Sequence, residues 1–494
     1  MRFNKTFYFV GILVLLIYLI YRVIDLSQII TIFPIDTFAN DRSSHIAKLF
    51  FLDKYGLHNK VPNWYNGEYQ ILKLYPPGWY IYALPLLKIF KSSQAAVYYS
   101  IILTFILGFI AFLILGGVMQ LKLLDRIAMF LLFFANPLTI GYLLRLGKDP
   151  EMLSWVFVVL IFALLLYYRN KILDYRFYLL FIILSTILFY VHLLSFIIAG
   201  FIMLAFFIIR NFKDKIKIFI AVLIIAALTS FFWYPFFTSI GNGIQLEKAP
   251  LKFLLSNDSR TSNDKLVAYV TPLMLFVLFY FYYKTNKLSK KDLLFFSIPL
   301  LVALLIFLRI LPYVPIFNKI FPDTYSIFFI LISLFFLFNI NLDKLGKPIR
   351  ILFNVALVIV PIIGVIISYF FTPFFIPHTP EVKSVLDLLP SVDGNFMTLW
   401  GSTVNGHAIY SYGAIYYNTK TSEGWDPTNL SKADSERSYR IYDSAKSKDC
   451  FTFKQDLGAL NVKNLIVPRK EFCEPVICGL KLKKSNELSC LLEY

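Results

Sequence analysis

Asp36, Asp41 and His45 stand close together at the head of the polar stretch IDTFANDRSSHIAKLFFLDKYGLHNKVPNWYNGEYQILKLYPP, which runs from Ile35 to Pro77. A carboxylate can take the proton of an attacking hydroxyl or amide, and an imidazole can share that work. The same donors, with Asp149 and Glu151 further along, suit a divalent cation such as Mg²⁺ or Mn²⁺. The stretch lies between two membrane-length apolar segments and continues into Trp64 and Tyr75-Pro-Pro77. Acids and an imidazole at a bilayer surface suggest a site that handles a polar group carried on a lipid. The plainer alternative is structural, since Asp41 and His45 are four residues apart and share one face of a helix.

A second set of chemistry-bearing residues follows at a distance: Arg145, Lys148, Asp149 and Glu151 in LRLGKDPEMLSW, then His192, Arg309 and Lys319. Each has a bland reading. Asp149 and Glu151 flank Pro150 at the start of an apolar segment, where acids complement a helix dipole. His192 reads equally as a packing residue at a turn, and Arg309 as a cation snorkelling from an apolar span.

The elements that position these residues follow from composition. Of the 494 residues 58% are hydrophobic and 16% charged, which excludes a soluble globule and gives a polytopic α-helical membrane protein. Apolar runs of spanning length fall near 7–25, 95–119, 126–144, 151–169, 177–191, 194–209, 218–237, 266–283, 292–311, 323–340 and 349–371, about eleven in all. Residues 177–210 are too long for one span and read as two that turn near His192. With the N-terminus cytoplasmic, the clusters Lys122 with Arg126, Arg169 to Arg176, Arg210 to Lys217, Lys284 to Lys291 and Lys344 to Arg350 all fall inside. Much of the net charge of +18 is therefore topological, and nucleic-acid binding need not be invoked. The first apolar run has no small-residue cleavage site after it and reads as an anchor. Tyr75 to Phe90 reads as an amphipathic or re-entrant outer helix with Trp79 and Tyr80 at headgroup depth. The acids and His192 then share the outer face.

These counts divide the chain into a transmembrane part, residues 1–371 with an outer loop at 26–94, and a C-terminal extracytoplasmic domain, 372–494. Alternating runs at Asn395–Trp400, Ala408–Tyr417 and Val462–Val467 suggest a mixed α/β fold there. Cys450, Cys473, Cys478 and Cys490 all fall in it and point to disulfides in an oxidising compartment, with three full pairings open. A zinc site is the rival, but no His lies among them. Asn257-Asp-Ser259 and Asn429-Leu-Ser431 are outer-side glycosylation sequons.

Asp41-Arg-Ser-Ser-His45, Gly56, Pro62-Asn-Trp64, Gly67 and Tyr75-Pro-Pro77 together resemble the first outer loop of GT-C fold glycosyltransferases. Lys148-Asp-Pro-Glu151 resembles the second outer acidic motif of that superfamily. Phe232-Trp-Tyr-Pro235 and Val462 to Val467 also look like its prokaryotic members. The resemblance implies transfer of a sugar from a polyprenyl-phosphate carrier to a lipid, glycan or protein acceptor at the outer face. It places the catalytic carboxylate at Asp41, with Asp36 and His45 assisting. Arg145, Lys148, Arg309 or Lys319 would offset the leaving phosphate, with His192, Trp64 and Tyr75 as further substrate contacts. Metal binding would fall to Asp41, Asp149 and Glu151. The Trp-Trp-Asp-Tyr-Gly motif of oligosaccharyltransferase catalytic subunits is absent, which argues against sequon glycosylation. Phe321-Pro-Asp-Thr-Tyr325 stands where related proteins often carry an Arg. A lipid-linked oligosaccharide flippase or polar-solute transporter is the alternative, although no internal repeat supports it. A non-catalytic scaffold would leave the polar cluster unexplained.

Overall fold

The computed structural model describes residues 5–34, 40–241, 250–255, 262–371, 378–399, 404–424, 432–470, 473 and 476–494. The described chain divides into two units: one of residues 1–25, 101–230 and 248–373, the other of 26–100, 231–247 and 374–494.

The first unit is helical, and each apolar run expected from the sequence falls on helix. Among the described residues five helices are long and apolar enough to cross a membrane, or up to seven if two bent pairs each count as one span, fewer than the expected eleven. The bent pairs are Leu123–Phe134 with Pro137–Arg145, and Phe212–Leu228 with Ser230–Thr238. Proline explains the first break: Pro137 cannot donate into the preceding turn, and the Asn136 side chain caps the new one by accepting from the Thr139 amide at 2.9 Å.

Helices Tyr175–Val191 and Leu193–Ile208 form the expected hairpin. Their joint is His192, extended at φ −160° and ψ 110°, whose Nδ1 accepts from the Ser195 amide. The outward and return legs end together, because Arg210 donates to the carbonyl of Lys171 at 2.9 Å and also to that of Tyr168. Arg169 pairs with Asp292 at 3.2 Å, and Lys344 donates to the Thr285 carbonyl at 2.8 Å. Three basic loops therefore contact loop 168–174 directly or through one another, gathering at one end of the bundle. Pro322–Asn339 and Asp149–Tyr168 are the most buried spans, and their other ends meet through Glu151 and Thr324. The first and last spans are the least buried.

The second unit draws on three stretches, and two of them, 26–100 and 374–494, build its main body. Its main sheet has the order β4-β3-β5-β7-β6, with β3 (Asn395–Thr398) parallel to both β4 (Lys420–Thr421) and β5 (Asn464–Val467). β7 (Cys490–Glu493) runs antiparallel to β5 and to β6 (Lys481–Ser485). From the first loop come helix Asn40–Tyr55 and the small pair of β1 (Lys60–Val61) and β2 (Tyr69–Gln70). The two stretches are joined by hydrogen bonds. The Asn63 carbonyl accepts from the Thr421 amide at 2.9 Å, its side chain donates to the Thr419 carbonyl at 2.9 Å, and Asn66 donates to the Leu460 carbonyl at 3.2 Å. Beneath them Trp64 is fully buried, edge-on to Phe51 at 4.9 Å, and a Cβ on Gly424 would come within 2.9 Å of its ring.

Two of the expected strands form, at Asn395–Thr398 and Asn464–Val467. Ala408–Tyr417 instead lies mostly in helix Val404–Tyr416. Its short alternation fits either period, and tertiary packing decides: Ile409 and Tyr410 pack with Phe396 and Ile466 over the sheet, and the helix also packs on Asn40–Tyr55. The disulfides pair Cys450 with Cys478 and Cys473 with Cys490, which removes the zinc reading.

Candidate active site

In the second unit, Asp41 lies in the first turn of helix Asn40–Tyr55, where the positive end of the helix dipole favours a carboxylate, and it is partly exposed. One turn on, His45 is buried with Nδ1 2.6 Å from the Tyr80 hydroxyl. Its ring is surrounded by those of Trp79 at 5.4 Å, Tyr80 at 5.7 Å and Tyr75 at 5.9 Å. A further turn on, Lys48 is buried with its ammonium 4.6 Å from the centroid of the Tyr75 ring, a cation–π contact. Arg42, next to Asp41, is only 1% exposed. Tyr75 is half-buried between His45 and Lys48, whereas Trp64 belongs to the unit's core. Asp36 lies outside the described residues.

Two features went unread in the sequence. Arg42, His45 and Lys48 repeat at i, i+3 and i+6, the period of one helix face, so the buried cations were legible had the spacing been followed past His45. Trp79 and Tyr80, expected at headgroup depth, are wholly buried instead because they wall the imidazole. Helix Gly78–Phe90 does form where the outer helix was expected.

A buried acid in this unit came from no motif. Glu423 accepts from the Tyr410 hydroxyl at 2.6 Å, and that hydroxyl is 3.1 Å from both the amide and the hydroxyl of Thr398. Burial pushes the Glu423 carboxyl above the usual range, opposed by hydrogen bonds from Tyr410 and Ser438. The Tyr410 hydroxyl is held well above its ordinary value by burial and by Glu423.

In the first unit, Glu151 opens helix Asp149–Tyr168 and is almost wholly buried. Its Oε2 accepts from Tyr142 at 3.0 Å and its Oε1 from Thr324 at 2.8 Å. Tyr142 comes from the π-helical segment Ile140–Arg145, a widened turn of a kind common at functional sites. Below it, Ser154 donates to the Ser195 hydroxyl at 2.7 Å, and Ser195 lies 2.8 Å from Nδ1 of His192. Lys148 is within electrostatic reach of both Glu151 and His192, its ammonium 4.9 Å from the Phe321 ring. Asp149 is buried beside them in sequence, and Arg145 ends the π-helical segment. Lys319 closes the short turn Phe317–Lys319, and Arg309 is exposed with its guanidinium 5.5 Å from the Tyr269 ring.

The structure therefore brings Lys148, Glu151 and His192 together with Tyr142, Thr324 and Ser195. Thr324 belongs to the segment singled out for its missing Arg. Among the described residues no group of three or more His, Cys, Asp or Glu is placed to hold a metal ion. Both Glu151 oxygens accept hydroxyl hydrogen bonds.

The fold is of the GT-C type. Two solved structures of the arabinofuranosyltransferase AftD from Mycobacteria match 92% of this chain, with TM-scores of 0.55 and 0.54 at 12% and 14% identity. The chain spans about a third of AftD's length, 36% and 35% in the two structures. An apo oligosaccharyltransferase from Archaeoglobus fulgidus also matches 92% of the chain, over 69% of its own, with a TM-score of 0.48 at 10% identity. No protein-family model and no curated protein matches the sequence.

Proposed function

We propose that this protein is a membrane glycosyltransferase that moves a sugar from a polyprenyl-phosphate-linked donor to a lipid, glycan or protein acceptor at the outer face of the membrane. The observation that carries the reading is Asp41: a partly exposed carboxylate one turn from a buried, Tyr80-bonded His45, on a chain of this fold. Asp41 accepts the proton of the acceptor hydroxyl or amide as that group attacks the anomeric carbon. The carbon–oxygen bond to the phosphate then breaks, and the polyprenyl phosphate leaves with the electron pair. The charge on that phosphate needs a cation, for which Lys148, Arg145, Arg309 and Lys319 are the candidates, and Tyr75 is a candidate contact for the sugar. His192 and Asp36 are further candidates for the reaction. The N-terminus lies in the cytoplasm, the C-terminal domain outside, and eleven spans connect them.

The test is transfer of a radiolabelled sugar from a polyprenyl-phosphate donor by the purified protein in vesicles. A labelled covalent product is the expected result. Leaflet movement of the labelled lipid without any product would sink the enzyme reading in favour of a flippase. Chelation is the second arm: loss of transfer that Mn²⁺ restores would show that the reaction needs a divalent cation, and full activity in excess chelator removes it.

A further inference from the structure

Tyr412, Tyr416 and Tyr417 stand at the end of helix Val404–Tyr416 and meet the ends of two membrane-length segments. The Phe33 ring lies 5.7 Å from that of Tyr412 and 6.1 Å from that of Tyr416, and the first apolar span, Tyr8–Ile30, stops just before Phe33. Gln94 donates to the Tyr416 hydroxyl and is the second residue of the apolar span Ser93–Val118. Helix Gly78–Phe90, with 13 residues, is too short to cross a bilayer between them. The end of one span and the start of the next therefore meet the same face of the membrane, and the tyrosines touch both. His378 donates to the Pro34 carbonyl at 2.7 Å, a third tie at this level.

Helix Ser93–Val118 has 26 residues. At 1.5 Å per residue it is about 39 Å long against a hydrocarbon core of about 30 Å, so roughly 4 Å emerges at each end and Gln94 lies among the headgroups. Tyr416, bonded to it, is 50% exposed, and Tyr417 is 41% exposed. Tyr412 joins them, 4.6 Å from Tyr416 and 6.0 Å from Tyr417. Phe90 and Tyr99, stacked at 4.1 Å, add two more exposed rings near the start of the same span. A tyrosine has an apolar body and a polar tip, which suits the boundary between acyl chains and headgroups better than it suits water. Lys91 and Lys420, both exposed, flank these residues in sequence and bring ammonium groups for lipid phosphates, while Asp387 is the acid within electrostatic reach of Tyr412.

We propose that this tyrosine edge is a membrane-docking surface: Tyr416 and Tyr417 sit in the headgroup layer of the leaflet at the Ser93 end and hold the main sheet to it by its β4 side. Helix Val404–Tyr416 packs on helix Asn40–Tyr55, so docking also fixes the height of Asp41 over that leaflet. The surface does not depend on glycosyl transfer, and its test reads depth alone. All four cysteines are in disulfides, so an introduced cysteine carries the only reactive thiol. A nitroxide is attached at Tyr417→Cys, at Lys420→Cys and, as the reference, at Leu482→Cys on β6, four strands from β4 and about 19 Å away. The full chain is placed in nanodiscs of phosphatidylcholine and phosphatidylglycerol. Oxygen, which partitions into the bilayer, should relax the labels at 417 and 420 more than the reference, and a water-soluble nickel chelate should relax them less. Tyr416→Ala, read through the label at 420, should shift that label back toward the reference. Equal chelate access at all three positions, or no shift in Tyr416→Ala, overturns the proposal. Shielding of 417 and 420 only when soluble maltoheptaose is added also overturns it and makes the tyrosines a sugar platform.

Discussion

Asp41 and Glu151 are both acids in the first turn of a helix, and the dipole argument applies equally to each. Their surroundings differ. Glu151 is almost wholly buried with a hydroxyl on each oxygen, whereas Asp41 stays partly exposed beside aromatic rings and buried cations. A carboxylate whose acceptor sites are already used holds a structure together, and one that reaches solvent can meet a substrate. Position at a helix start therefore does not separate the two roles, but exposure does.

Several substitutions would break or sharpen this contrast. Asp41→Asn should lower the transfer rate by about 10²–10⁴-fold with the protein's abundance unchanged, the range for a lost general base. Near-normal transfer by that variant would remove Asp41 from the chemistry. Glu151→Ala leaves the Tyr142 and Thr324 hydroxyls without their acceptor and should cost about 1–3 kcal/mol of stability, read as an earlier thermal transition in detergent. If that variant melts normally yet fails to transfer, the roles assigned to the two acids are reversed. Tyr80→Phe removes one hydrogen bond from His45 and should cost about 1 kcal/mol. Its transfer rate should fall far less than that of Asp41→Asn.

The smallest effect concerns Glu423. Its carboxyl titrates above the ordinary value in the folded state, so folding is disfavoured wherever the unfolded chain is ionised and the penalty disappears on acidification. Glu423→Gln keeps an acceptor for Tyr410 without the buried charge. It should raise the melting temperature by a few degrees at neutral pH, with the gain shrinking as pH falls toward the ordinary range of a glutamate. A gain that is the same at both ends would show that the burial penalty is not the cause.

Much of the first unit was legible because apolar runs, basic loops and the break at His192 are local signals. The same holds for the strands at Asn395–Thr398 and Asn464–Val467 and for helix Gly78–Phe90. The Thr324–Glu151 bond was not legible, since a threonine 173 residues away carries no mark of its partner. Nor was the burial of Trp79 and Tyr80, whose amphipathic character suits a headgroup region and a histidine wall alike. Val404–Tyr416 shows how a ten-residue alternation yields to packing. The union of residues 26–100 with 374–494 rests on contacts such as Asn63 to Thr419, which no local pattern records.

That union sets the order of events during synthesis. Asn63 leaves the ribosome 356 residues before its partner Thr419, and at about 5–20 residues per second the interval is on the order of 20–70 s. For that time the first loop must wait with Trp64 lacking Gly424 over its ring. A nascent chain stalled before Gly424 therefore presents an aromatic surface that the finished protein hides, and quality control can recognise incompleteness there.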